Sequence, residues 1–196
     1  MKVLGFLPVL GTMLLLVQFA QADPSGAAEI AAERPSAGDT PKGPAPSPED
    51  KQAAVAALRQ LGVRVELDES QAAQSVAAVK TKITDVEIVH LAALPELESL
   101  DISGGQITDA GLANLRGLVE LKRLYLRDLP ITDAGLEHLQ GLTGLEVLTL
   151  SNAKISGKGL AQLRDLKQLR VLNLSGNPIV GVKKLYDAIP GLSVHR

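Results

Sequence analysis

One unit recurs at a constant interval through the second half of this chain and constrains its fold more than any other feature. Aligned on leucines, it reads LESLDISGGQITDAGLANLRGLVE from Leu97, LKRLYLRDLPITDAGLEHLQGLTG from Leu121 and LEVLTLSNAKISGKGLAQLRDLKQ from Leu145. A fourth copy, LRVLNLSGNPIVGV, starts at Leu169, and a degenerate one comes before Leu97. In it Ala73, Val76, Ala78, Ile83, Ile88, Leu91 and Leu94 stand one full repeat before Leu97, Leu100, Ile102, Ile107, Leu112, Leu115 and Leu118. Self-similarity at such a period is the mark of a solenoid, in which each unit buries its apolar side only against its neighbours.

Each copy changes period halfway. L-x-x-L-x-L ends in alternate apolar positions, the pattern of a short strand. The following I-T-D-A-G-L-x-x-L-x-x-L has three-residue spacing and a helix start signal. Thr108, Thr132 and Ser156 are hydroxyl caps, and Asp109 and Asp133 follow in the first turn, where a carboxylate suits the helix's own free amides. Stacked copies make a parallel sheet on one side and helices on the other. The wider helices curve the stack, with the sheet inside.

This pattern resembles the leucine-rich repeat family over about residues 51–196. It is similar to short exported bacterial proteins with ITDAGLxxLxxLxxLxxL units. The helical repeats of F-box substrate receptors are similar too, but this chain has neither an F-box nor their cysteine. The resemblance implies an α/β fold: a right-handed leucine-rich-repeat solenoid with a concave parallel β-sheet and helices on the convex side. One position departs from the family. The ninth residue of a copy is often a polar residue that ties neighbouring turns; here it is Gly105, Leu129, Ala153 and Asn177. The upper turns are therefore expected to be looser.

Five segments follow. Residues 1–22 read as a signal peptide: Lys2, an apolar stretch from Val3 to Val17, and Ala20-Gln21-Ala22 as an A-x-A cleavage site,. An uncleaved anchor is the alternative; after cleavage no membrane span remains. Residues 23–47 are a Pro/Ala-rich linker without an apolar period, a composition that stays disordered. Residues 48–72 form an N-terminal capping helix and strand. Ser47 caps the helix, Pro48 opens it, Ala54, Ala57, Leu58 and Leu61 make its apolar face, and Gly62 ends it,. Residues 73–191 hold five repeats, the first and last degenerate, and residues 192–196 close the C-terminal end.

Composition excludes several kinds of chemistry. The chain has no cysteine, so no disulfide, thiolate or Cys-bound metal exists. Aromatics are 2% of its 196 residues, which removes base-stacking platforms, and a net charge of −2 gives no nucleic-acid footprint,. No G-x-S-x-G, P-loop or G-x-G-x-x-G occurs. His90 and His138 share a repeat position two copies apart, roughly 10 Å, too far for one metal. With the terminal His195, they read as surface histidines. Asp85, Asp109 and Asp133 stack at one position, but their expected partners are the amides of their own helices rather than calcium. The chain reads as no enzyme, with no cofactor and no metal.

The variable strand positions form three rows on the concave face. The first is Ser75, Ser99, Arg123, Val147, Val171; the second Ala77, Asp101, Tyr125, Thr149, Asn173; the third Val79, Ser103, Arg127, Ser151, Ser175. Tyr125 stands at the centre between Arg123 and Arg127, and these residue types dominate binding hot spots. The candidate partner-binding residues are Arg123, Tyr125, Arg127, Asp101, Ser99, Thr149 and Asn173. Alternatively, Tyr125 and Asp101 satisfy one another. Six strands at roughly 4.8 Å span about 24 Å, and three residues per strand give a face of only a few hundred Å², short of the roughly 800 Å² per partner of a standard interface. Binding is thus modest or helped by loops. The expected function is a monomeric protein- or peptide-binding module, secreted or in the periplasm or envelope. A structural envelope spacer and a cell-wall or carbohydrate binder are the alternatives.

Overall fold

The computed structural model describes residues 45–196; the expected signal peptide and the linker up to residue 44 lie outside the described residues. The chain enters through α1 (Pro48–Gln60). Ser47 Oγ accepts the Asp50 amide at 3.2 Å, and the Asp50 carboxylate accepts the Ser47 amide at 2.9 Å. This reciprocal box satisfies two donors that the first turn would leave unpaired. Gly62, at φ +77°, turns the chain away, a conformation that a side chain resists. Ala54 and Leu58 are buried, but Leu61 is 43% exposed. It sits at the C-cap, beyond the last helical turn, so the helical spacing no longer decides where it points.

β1 (Arg64–Leu67) pairs antiparallel with β2 (Ala73–Ala77). From β2 onward every pairing is parallel, through β3 (Ser99–Asp101), β4 (Arg123–Tyr125), β5 (Val147–Thr149), β6 (Val171–Asn173) and β7 (Ser193–His195). Strand order in the sheet is chain order. Val76, Leu100, Leu124, Leu148 and Leu172 are successive register partners, so each strand pairs with the next at a step of one full repeat. The last step, from Leu172 to Val194, is shorter than a repeat, because the chain contracts after Gly181.

The return segments are tighter than α-helices. Glu87–Ala93, Gly135–Leu139 and Gly159–Leu163 are 3₁₀ helices, and α2 (Asp109–Leu112) runs on into a 3₁₀ turn, Ala113–Leu115. Only α3 (Lys183–Ala188), in the last copy, is a plain α-helix. The leucine spacing explains this: a 3₁₀ helix has three residues per turn. It therefore lines up Leu136, Leu139 and Leu142, or Leu160, Leu163 and Leu166, against the sheet, where all are at most 3% exposed. The core is this aliphatic layer between strands and helices. Each fully buried leucine contributes roughly 2 kcal/mol.

The turn after each strand uses a left-handed residue at one repeat position: Lys80, Gly104, Asp128, Asn152 and Gly176, with φ from 55° to 78°. The ninth position follows it. Leu129 and Ala153 are buried there as apolar plugs. Asn177 makes the expected polar contact, accepting the Ile155 amide at 3.1 Å and donating to the Leu150 carbonyl at 2.7 Å.

The other turns are tied by a carboxylate ladder between repeats, which corrects the expected role of the aspartates. Asp85 accepts the Thr108 amide at 2.8 Å, Asp109 that of Thr132 at 2.8 Å, and Asp133 that of Ser156 at 2.7 Å. Each also accepts the hydroxyl of the same residue. The carboxylates thus serve the next repeat, not their own helix. The hydroxyls in turn accept the amides of Ala110, Ala134 and Lys158. Gly111, Gly135 and Gly159 leave room for these carboxylates: a Cβ on any of them would fall inside contact with the aspartate above. In T-D-A-G, then, the Thr donates to the carboxylate of the copy before, the Asp accepts from the hydroxyl residue of the copy after, and the Gly makes space. The ends follow the same logic. The first copy has no repeat above it, and Glu87, in the glycine position, binds Thr84 itself at 2.8 Å. At the far end Gly157 replaces the aspartate and Val180 the hydroxyl.

Four carboxylates near the N-terminal end lie below their ordinary pKa, each because it accepts hydrogen bonds: Asp50 from Ser47, Asp68 from Ser70, Glu87 from Thr84 and Glu96 from Lys51. A depressed folded pKa adds stability above the ordinary values, 3.8 for Asp and 4.5 for Glu. That stability is lost as pH falls through the folded pKa. On acidification below about pH 4.5, hydrogen exchange is expected to accelerate first in α1 and the β1–β2 pair. Earlier loss of protection in β5 and β6 would refute this.

Candidate functional site

The register brings the two main rows of the sheet face together. Ser75, Ser99, Arg123, Val147 and Val171 are successive Cα partners, as are Ala77, Asp101, Tyr125, Thr149 and Asn173. His195 joins the second row beside Asn173, a neighbour the five-copy reading did not include. Just past the strands, the third row is held by main-chain bonds from Lys80 to Ser103, Gly104 to Arg127, Asp128 to Ser151 and Asn152 to Ser175.

The candidate residues differ in how much surface they offer. Arg123 and Arg127 are exposed, while Ser99, Asp101, Tyr125 and Asn173 are half-buried. The Arg127 guanidinium carbon lies 5.4 Å from the Tyr125 ring centroid, a cation–π arrangement. Thr149 is only 4% exposed. It stands between its register partners Tyr125 and Asn173 and offers a ligand almost nothing. Asn173 Oδ1 accepts the Ser151 hydroxyl and the Ser175 amide, each at 3.0 Å, so half of its amide is already used.

Asp101 and Tyr125 are register partners, yet no hydrogen bond joins them. Asp101 Oδ1 accepts the Ser103 amide at 3.0 Å, and the Tyr125 hydroxyl has no partner among the described residues. Ion pairs among the described residues are Lys51–Glu96, Lys122–Glu98 and Arg164–Asp165. Arg123 and Arg127 are in none of them. Three strong polar groups at β4 and just past it therefore make no hydrogen bond or ion pair among the described residues.

Away from this face, Arg116 Nη2 lies 2.7 Å from His138 Nδ1. A guanidinium only donates, so this nitrogen is unprotonated. Burial, and then the Arg116 charge, push His138 below its ordinary pKa. His138 is thus half-buried and engaged with the previous repeat, where a free surface histidine was expected. A depression of about 600 Å³ at the N-terminal end, lined by Val55, Arg59, Leu67 and Asp68, holds the Lys51–Glu96 ion pair.

Profiles of the leucine-rich repeat match residues 94–115, 119–179 and 168–192. The chain belongs to the leucine-rich repeat family. Its fold is similar to the ectodomain of the receptor kinase SOBIR1 from Arabidopsis thaliana, at 18% identity and a TM-score of 0.56. That match covers 76% of this chain and 92% of the ectodomain. An internalin C2 from Listeria monocytogenes matches with 20% identity and a TM-score of 0.42, over 72% and 80% of the two chains. No curated protein matches the sequence. The leucine-rich-repeat fold explains why the site is a set of rows: invariant leucines point into the stack and leave every second strand position free to vary.

Proposed function

We propose that this leucine-rich-repeat protein is a non-enzymatic binding module, exported from the cytoplasm, that holds a protein or peptide on its sheet face around Tyr125. One observation carries the reading: Arg123 and Tyr125 on the middle strand, and Arg127 just past it, have no ion-pair or hydrogen-bond partner for their side chains among the described residues. Every buried side-chain polar atom among the described residues has a hydrogen-bond partner, whereas these three groups are left to solvent or a ligand. Tyr and Arg give large contact area and directed donors, the make-up of binding hot spots. Export is supported by Lys2, the apolar stretch and Ala20-Gln21-Ala22. The face is small, so the ligand is a peptide or a protruding segment rather than a broad surface.

The test is photo-crosslinking in the native host. A crosslinker replacing Tyr125 is expected to give a discrete adduct that one replacing Ala110, exposed in α2 on the helix side, does not. Equal labelling from both positions, or none from either, would end this reading.

A further inference from the structure

From the sheet face we infer the chemistry of the ligand: an acidic peptide segment carrying carboxylates next to small apolar side chains. The inference rests on the proposed sheet-face site and adds what that site selects.

The charges on the face point one way. Across the three rows, Asp101 is the only carboxylate and Arg123 and Arg127 the only permanent cations. Asp101 already accepts the Ser103 amide and makes no ion pair with either arginine. Beyond β4 the rows hold Val147, Thr149, Ser151, Val171, Asn173 and Ser175, with no acid among them. Two guanidinium groups thus offer rigid donor forks that suit carboxylates. The larger field agrees with the local one. Residues 122–196 carry eleven Lys and Arg against six Asp and Glu, a net of +5; residues 45–121 carry six against twelve, a net of −6. β4 is the first strand of the basic half, so an acidic segment is steered to the β4–β7 side of the sheet.

The apolar part of the ligand follows from the first row. Val147 and Val171, both half-buried, continue directly from Arg123. A chain that leaves a carboxylate at Arg123 and runs on across the strands lays its neighbouring side chains on that strip. Bases fit less well, because they stack on an open aromatic face. Tyr125 is the only aromatic in the rows, and Arg127 already lies over its ring.

The experiment pans a displayed random dodecapeptide library against the full chain. Clones that also bind Tyr125→Ala are removed. The survivors are then measured against Arg123→Gln/Arg127→Gln, whose exposed side chains can change without disturbing the core. The expected result is enrichment of Asp and Glu, and a loss of at least roughly tenfold in affinity for the double variant, since charge-assisted bonds are the strong ones. Adding salt should weaken wild-type binding more than variant binding. Clones that need Tyr125 but carry no acidic residues, or that bind the double variant equally well, would overturn the inference and leave the sheet-face site standing. If every enriched clone binds Tyr125→Ala as well as wild type, or none is enriched, the site itself falls and the inference with it.

Discussion

Leu124→Ala is expected to cost about 4 kcal/mol, at the upper end of the range for large-to-small core substitutions. Leu124 is fully buried. It lies on the middle strand, with Leu100 and Leu148 as its register partners on either side. The cost depends on how far the surroundings collapse into the space left behind. Here they cannot move far: both neighbouring strands are fixed by the main-chain ladder. Nor is there a flexible aromatic or methionine nearby to fill the gap, because the buried core is Ala, Val, Leu and Ile. For a domain of this size each kcal/mol lowers the melting temperature by about 2–4 °C, so the fall should be about 8–16 °C. Leu61→Ala is the control, because Leu61 is 43% exposed; it should cost under about 1 kcal/mol. Thermal and urea melts of the two variants would decide, and similar losses would contradict the burial pattern.

The second large effect lies in the ladder. Asp109→Ala removes the acceptor of both the Thr132 amide and its hydroxyl, a loss of about 2–3 kcal/mol for bonds to a charged group. Gly135→Ala should cost about 2 kcal/mol from overpacking, even though alanine favours a helix by about 1 kcal/mol. Its Cβ would collide with Asp109 Oδ1 and lie 3.0 Å from Ile131 Cγ2 and Leu112 Cδ1. The informative variant is the double one. Without the carboxylate the hardest of these contacts is gone and only the tight approach to Ile131 and Leu112 remains, so the two changes together should cost well below the sum of the single ones. Additive losses would show that glycine and aspartate do not share that space.

Much of the architecture is legible in the residues. The period-two leucines place β3 to β6, and the constant interval from one copy to the next gives the register that makes rows of Arg123, Tyr125 and their neighbours. Ser47, Pro48 and Gly62 mark both ends of α1. The 3₁₀ geometry was present in the three-residue leucine spacing, although that spacing suggested only a helix. The recurrent left-handed turn is also in the sequence, as Gly104, Asp128, Asn152 and Gly176, one position before Gly105, Leu129, Ala153 and Asn177.

What the sequence alone determined is everything that a single copy decides: which residues face the core, which face outward, and where each strand begins. A copy's periodicity fixes these because side-chain direction follows from local backbone geometry. Only the tertiary structure decided which groups meet across copies. Asp109 is next to Thr108 in the chain and a whole repeat away from Thr132, and sequence proximity favours the wrong partner; the stacking offset brings Thr132 to it instead. The same stacking buries Thr149 and gives Arg116 to His138. Contacts between repeats depend on the offset and twist from one copy to the next, and those are set by how the whole aliphatic layer packs.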